Sequence, residues 1–352
     1  MNKKIVVGVT AIKTIESPQP GFAIARGLKP KGYRVIGIDD TPLTSAVHSS
    51  YFDAVYVVPA LATEDFSSFF SALQRIHEKE HLDVLIPCFD RDVFFMLKYR
   101  EDIEQLGIRL LLPTVKNLLQ TSKPFLSQLS HHGIHVPRYA LVSTQKELEQ
   151  ACKSLGFPVV CKGVMKDAYI AKDNADALIF FEKIRQTWHG GTGSIIVQEF
   201  IAGEFFCVAG VTNEKGKFVY AVQMKKLGID SKGSTWSGVT VFDRTLKRLT
   251  DQVIRAVQWR GPFELEFIRQ YKTNKFYLFE VNPRVPSWIH LATVAGQNIP
   301  EAIVQIALNK HVEPKETYAQ DLMFTRTAEE LIYPVPAIHD GLLQKKSAKQ
   351  GV

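Results

Sequence analysis

The first 112 residues alternate between short, wholly apolar runs and longer stretches in which apolar residues recur every three or four positions. KIVVGV, YRVIGIDD, DAVYVVP, DVLIPCF and IRLLLP read as strands, and the stretch around PGFAIARGLKPKG, SSFFSALQRIHEKEH and the segment through MLKYREDIEQLG read as helices. Short β-branched runs separated by helices predict βαβ units and a parallel sheet. The runs are apolar throughout, as expected of strands covered by helices on both faces.

From about 113 the texture changes. TVKNLLQTSKPFLSQLSHHG reads as helical, IHVPRYALV begins a strand around a proline, SLGFPVVCKG is a strand, NADALIFFEKIRQTW a helix and SIIVQEFI another strand. Downstream, EFFCVAGVT, KFVYAVQMKK, ELEFIRQ and KFYLFEVN follow one another with short turns at NEKGK and YKTNK. Closely spaced strands with tight turns predict a largely antiparallel sheet. The chain returns to helix in PEAIVQIALNK, and the segment after 312 reads as short and weakly structured. The expected fold class is therefore α/β and α+β: an N-terminal parallel-sheet domain over 1–112, then a two-lobed unit.

Composition narrows the function classes. Of 352 residues, 45% are hydrophobic and 22% charged, ordinary for a globular protein, and no apolar run approaches the ~20 residues that span a bilayer. MNKKIVVGVTA has a basic start but a short, glycine-containing apolar run, so it reads as a first strand and not a signal peptide. Cys88, Cys152, Cys161 and Cys207 are scattered without a CxxC pair, which points to reduced thiols and a cytoplasmic location. The net charge of +7 is spread along the chain, with a small concentration at Lys345, Lys346 and Lys349. No nucleic-acid motif accompanies it, and an anionic small-molecule substrate is reason enough for such basicity. The expected partners exclude nucleic acid and membrane.

A dinucleotide site is the obvious candidate for the first domain, with Asp39 as its ribose ligand. The first turn, GVTAIKT, lacks G-x-G-x-x-G, so Asp39 and Asp40 read as ordinary strand-end residues. G-x-S-x-G does not occur, which argues against covalent catalysis through a serine nucleophile.

The strongest chemical signal is FYLFEVNPR at 276–284, preceded by PFELEFIRQ. Two strands joined by a short turn bring Glu266 near Glu280, with Asn282 two residues further along the same face. Clustered oxygen donors of this kind suit Mg²⁺, which takes one or two carboxylates and completes its shell with substrate phosphates. Arg284 beside them can hold a phosphate oxygen. A solvated hairpin whose acids happen to alternate is the competing interpretation, weakened because these acids interrupt apolar strands.

Glu280-Val281-Asn282-Pro283-Arg284, after Glu264-Leu265-Glu266-Phe267, resembles the metal-binding end of the ATP-grasp enzymes, a group that includes biotin carboxylase, D-alanine–D-alanine ligase and the carbamoyl phosphate synthetase halves. The resemblance runs in order over about 300 residues. It implies that Lys123 and Lys162 contact the ATP phosphates, and that VQEFIAGE is the hinge. There Gln198 and Glu199 lie near the adenine, Phe200 and Ile201 supply backbone contacts, and Glu204 serves the ribose. It further implies Glu266, Glu280 and Asn282 as ligands of Mg²⁺, with Mn²⁺ as the alternative ion, and Arg284 and Lys225 as catalytic phosphate contacts, Lys226 competing with Lys225. Ser234 to Gly238 would form an acceptor-side loop, with Trp236 and Trp288 lining a pocket.

Under this resemblance the domains become a pre-ATP-grasp domain at 1–112, a small ATP-grasp lobe at 113–200, a large lobe at 201–312 and a tail at 313–352. The implied activity is an ADP-forming ligase that activates a carboxylate as an acylphosphate for attack by an amine, with an amino acid or peptide as the expected substrate; a homodimer is the expected assembly, dimers being the commonest. A bicarbonate-phosphorylating enzyme and a non-catalytic ATP-binding paralogue are the alternatives. Three departures stand out. GVMKDAYIAKD carries one glycine where most members have a glycine-rich phosphate loop, leaving Lys166 as an electrostatic substitute; HGGTGS at 189–194 reads as a turn; and Phe205 stands where many relatives place the ribose glutamate.

Overall fold

The computed structural model describes residues 4–14, 18–61, 66–121, 123–163, 168–187, 193–230, 233–327, 332, 337–339 and 342–344; at Thr121, Lys123, Pro124, 337–339 and 342–344 it describes backbone alone. The N-terminal region folds as its apolar runs predict, through β1 (Val6–Thr10), α1 (Pro20–Leu28), β2 (Arg34–Asp39), β3 (Ala54–Val57), α2 (Phe66–Glu80), β4 (Val84–Ile86), α3 (Asp90–Lys98) and α4 (Arg100–Gln105). These four strands are parallel in the order β3-β2-β1-β4. IRLLLP makes one parallel bridge, Val84 to Arg109, instead of a strand, and its buried leucines then run on toward Gly261.

The next region begins with α5 (Val115–Thr121) and a 3₁₀ segment, Lys123–His132. It continues through β5 (Tyr139–Val142), α6 (Gln145–Leu155), β6 (Val159–Lys162), β7 (Ala168–Ala171), α7 (Asn174–Thr187) and β8 (Ile195–Glu199). The four strands are antiparallel in the order β5-β8-β6-β7, and α6 starts at a reciprocal cap in which Thr144 accepts from Glu147 N–H and Glu147 accepts from Thr144 N–H. Val142, Leu148, Cys161, Phe181 and Val197 belong to a core that serves this region alone.

The third region is a six-stranded antiparallel sheet ordered β13-β12-β9-β10-β11-β14. Its elements are β9 (Gly203–Thr212), β10 (Phe218–Ile229), β11 (Thr235–Val241), α8 (Arg244–Val257), β12 (Gly261–Gln270), β13 (Phe276–Asn282), α9 (Ile289–Val294), α10 (Ile299–Ala307) and β14 (Met323–Thr325). Period-two alternation gives the sheet two buried faces. Cys207, Ala209, Val222 and Met224 pack with α1, α9 and α10, while Phe206, Val208, Leu265 and Phe267 pack with α8 and the far side of the N-terminal sheet. These two cores therefore run through both the first and third regions.

Two findings depart from expectation. α8 was not foreseen, although Leu246, Leu249, Val253, Ile254 and Val257 are buried at helical spacing behind the Asp243 cap. The segment after 312, expected to be weakly structured, supplies β14, β15 (Ala337–His339) and β16 (Leu342–Gln344); β14 joins β11, and β16 pairs antiparallel with β3 at the edge of the N-terminal sheet. Asn298 donates to Gly27 O and caps α10, tying the third region to α1. No described helix is long and apolar enough to cross a membrane.

Candidate functional site

β12 and β13 pair with Glu264 opposite Asn282 and Glu266 opposite Glu280, so the acids and the amide share one face of the sheet. A register shift between Glu266 and Phe267 inserts Phe279 as an extra residue on β13. Its ring makes an edge contact with Phe205 of β9, centroids 5.9 Å apart. Lys162 Nζ of β6 sits 5.4 Å from the centroid of the same ring and donates to Gln198 Oε1 at 2.5 Å. The middle sheet's lysine thus faces the acid-bearing face of the third sheet across Phe279.

On that face the charges interlock. Lys226 Nζ donates to Glu266 Oε2 at 2.6 Å, Asn282 Nδ2 donates to Glu264 Oε2 at 3.1 Å and Glu266 Oε1 at 3.3 Å, and Trp288 Nε1 donates to Glu264 Oε1 at 2.8 Å. Arg284 Nη1 lies 3.5 Å from Glu264 Oε2, and its Nε lies 3.1 Å from Asp90 Oδ1 at the start of α3. Burial, with the charge of Glu266 behind it, pushes the Glu264 carboxyl up to about 7. Burial works to lower the Lys226 pKa, but the acids around it outweigh burial and raise it; Arg284 is raised in the same way by Asp90, Glu264 and Glu280. The acidic surroundings keep both of these cations charged.

Cys207 Sγ and one oxygen each of Glu264 and Glu266 lie within 4.8 Å of one another. Burial pushes the Cys207 thiol well up, so it stays neutral and is a poor ligand for a hard cation. The oxygen donors of Glu264, Glu266, Glu280 and Asn282 do fit Mg²⁺, and a divalent cation would offset both the burial and the neighbouring Glu266 charge that raise Glu264.

The structure does not bring every expected residue to this face. Lys225 precedes Lys226 on β10 and so points to the other side, where its Nζ donates to Glu204 Oε1 at 2.5 Å. Arg269 pairs with the other oxygen of Glu204, and these two cations hold that carboxyl below its ordinary range. Lys225, expected as phosphate contact, and Glu204, expected as ribose ligand, thus form an ion-paired cluster on the opposite side of the sheet from Glu266. Lys226 and Phe205 occupy the acid-bearing side, with Lys226 Nζ 6.0 Å from the Phe205 ring centroid.

The hinge runs from Glu199, which ends β8, through Phe200 and buried Ile201 to Gly203. Glu199 Oε2 accepts from Arg138 N at 3.2 Å and Arg138 Nε at 3.1 Å. A Cβ at Gly203 would lie 2.3 Å from Arg269 O, so only glycine lets β9 start this close against β12. Ser234 to Gly238, expected as a loop, lies mostly within β11; Trp236 is half-buried there, and Trp288 is buried against Glu264. The Lys123 side chain, Lys166, residues 189–192 and Lys345, Lys346 and Lys349 lie outside what is described. Sequence reasoning left Glu264 without a role and missed Asp90: Glu264 shares the parity of Glu266, whereas Asp90 carries no local signal. Asp39 is engaged by Ile12 N at 2.9 Å, Asp40 N at 2.7 Å and Lys13 Nζ at 3.3 Å, which fixes the turn after β1.

Residues 192–329 match a family described as ATP-grasp in the biosynthetic pathway with Ter operon. The carbamoyl phosphate synthase large chain of Rubrobacter xylanophilus is 22% identical over 312 residues, covering 83% of this chain, which spans 28% of the length of that relative. The formate-dependent phosphoribosylglycinamide formyltransferase of Aliivibrio fischeri is 22% identical over 310 residues, covering 84% of this chain and 75% of the relative. Among solved structures, biotin carboxylase from Campylobacter jejuni superposes with a TM-score of 0.69 at 16% identity, covering 90% of this chain and 74% of that one. N5-carboxyaminoimidazole synthetase from Staphylococcus aureus gives 0.68 at 15% identity, covering 90% and 81%. The chain thus shares the fold of these ATP-grasp enzymes, and its residues 192–329 match an ATP-grasp family.

Proposed function

We propose that the chain is an ADP-forming carboxylate–amine ligase. The observation that carries this reading is the meeting of Lys162, Lys226 and Arg284 with Glu264, Glu266, Glu280 and Asn282 on facing surfaces of two antiparallel sheets. Oxygen donors beside fixed cations suit phosphoryl transfer, in which positioning and charge neutralisation supply most of the catalysis. The relatives named above are enzymes of small molecules, which agrees with a carboxylate and an amine as substrates.

In this reading a substrate carboxylate oxygen attacks the γ-phosphorus of ATP, ADP leaves, and an acylphosphate forms. The amine nitrogen then attacks the acyl carbon, phosphate leaves, and the nitrogen gives up a proton. Lys162, which donates to Gln198, neutralises the transferred phosphoryl group, with Lys123 as its expected companion. Arg284, anchored by Asp90 and Glu264, presents its guanidinium on the acceptor side. Glu266, Glu280 and Asn282 would hold Mg²⁺, or Mn²⁺ in its place, which draws negative charge off the phosphates. Gln198, Glu199, Phe200 and Ile201 border the adenine, and Phe205 with Phe279 gives the nucleotide an apolar wall where a ribose carboxylate would otherwise stand. Limits near 112, 200 and 312, a cytoplasmic location and a homodimer belong to the same proposal.

Phosphate release with Mg-ATP over a panel of carboxylates, amines and bicarbonate tests it. A ligase releases phosphate when a matching carboxylate and amine are both present. Release with bicarbonate and no carboxylate would move the chain to the carboxylase-like class, and the absence of release across the panel would favour the non-catalytic paralogue.

A further inference from the structure

Behind the acid-bearing face, β10 runs past the end of β11: Gln223–Ile229 pair with β11, while the strand's first half does not. There α8, the first half of β10 and the segment at 314–318 enclose a cavity of about 390 Å³, within the range of small-molecule sites. Its floor is apolar, made by Val208, Phe218 and Ala221, and one wall carries Phe242 and Tyr318, whose rings meet edge to face at 6.4 Å. The wall is pinned in place. Lys315 N donates to Val219 O, Tyr318 Oη donates to Val241 O at 2.6 Å, and Gln297 Nε2 donates to Lys315 O at 2.8 Å.

The rim is cationic. Lys217, Lys247, Arg255 and Lys315 line it against two acids, Asp251 and Glu316. Lys247 serves both acids, at 3.3 Å and 3.7 Å, and Lys315 Nζ donates to Gly296 O at 3.2 Å. Among the described residues, Lys217 and Arg255 enter no ion pair, so two cations at the mouth are available to a ligand. Val208 enters the floor while its neighbour Cys207 stands among Glu264 and Glu266, which puts the whole sheet between this cavity and the acid-bearing site.

We propose that this cavity is a second ligand site, one that takes a small anion with a flat apolar body: an aryl carboxylate, aryl sulfonate or aryl phosphate ester. The aromatic wall and apolar floor hold the body, and Lys217 and Arg255 hold the anionic end. Because the sheet separates the two sites, the ligand binds alongside nucleotide.

Fluorescence titration of the full chain with 8-anilinonaphthalene-1-sulfonate tests this. The expected result is one saturable site per chain, retained with Mg-ATP present, and weaker binding of the uncharged N-phenyl-1-naphthylamine. Ala221→Trp, which fills the floor, abolishes it. The double variant Lys217→Glu/Arg255→Glu changes exposed side chains only; it keeps the melting temperature and weakens binding by about tenfold or more, the scale of one lost charged contact. Displacement by Mg-ATP, equal binding of the uncharged probe, undiminished binding in the double variant, or the lack of a saturable site would each overturn the proposal.

Discussion

The two faces of the central antiparallel sheet carry similar residues in opposite states. On one side Glu204 takes Lys225 and Arg269 as partners, is part-exposed, and has its pKa lowered by them. On the other, Glu264 is enclosed with Glu266 beside it, meets a single arginine at 3.5 Å, and has its carboxyl raised to about 7. An ion-paired, part-exposed carboxyl costs and contributes little, whereas a fully buried carboxyl beside a like charge is costly unless a cation comes close. Burial against a second acid therefore separates a structural cluster from a place prepared for a ligand.

Substitution can break this contrast or sharpen it. The largest effect is expected at Glu280, where Glu280→Gln should lower kcat by about 10²–10³-fold, the scale of one preorganised electrostatic contact, with an unchanged far-ultraviolet circular dichroism spectrum. Turnover equal to wild type would remove the metal role. Next, the two adjacent lysines should part company. Lys226→Ala should lower kcat/KM by about 10²-fold, while Lys225→Ala should stay within about threefold, because only Lys226 shares the face of Glu266. Equal losses would mean that strand alternation does not decide which lysine acts.

A smaller effect follows from Glu264. Its folded-state pKa stands above the ordinary 4.5, so its protonated form favours the fold: that contribution is complete below 4.5 and is lost as pH rises to about 7. Metal-free protein should accordingly lose roughly 1–3 kcal/mol of stability from this carboxyl between pH 4.5 and 7.5, at about 1.4 kcal/mol per pKa unit. Glu264→Gln should flatten that part of the melting-temperature profile, and Mg²⁺ should restore wild-type stability at pH 8. A Mg²⁺-independent profile with the same slope in both proteins would contradict the assignment.

Much of this arrangement was legible along the chain because strand parity is local. Glu264 and Glu266 share a face by parity, and Val222 and Met224 are buried on the side that Lys226 continues. The same counting puts Lys225 behind the sheet, and a preference for it followed from resemblance and not from alternation. What stayed hidden depends on contacts distant in sequence. Asp90 reaches Arg284 from the start of α3 in the first region, and the bulge that turns Phe279 toward Phe205 appears only once β12 and β13 are in register. The strands after 312 are three residues each and are held by neighbours already in place, so no period announces them.

The first and third regions share two cores, whereas the middle sheet with α6 and α7 keeps a core of its own. Rocking that unit about the stretch before Gly203 leaves every buried contact inside both bodies intact and changes only what lies between them, chiefly the reach of Lys162 to Phe279. A swing of that unit would then cost few apolar contacts, and the same separateness of its core makes it the part expected to give way first under heat.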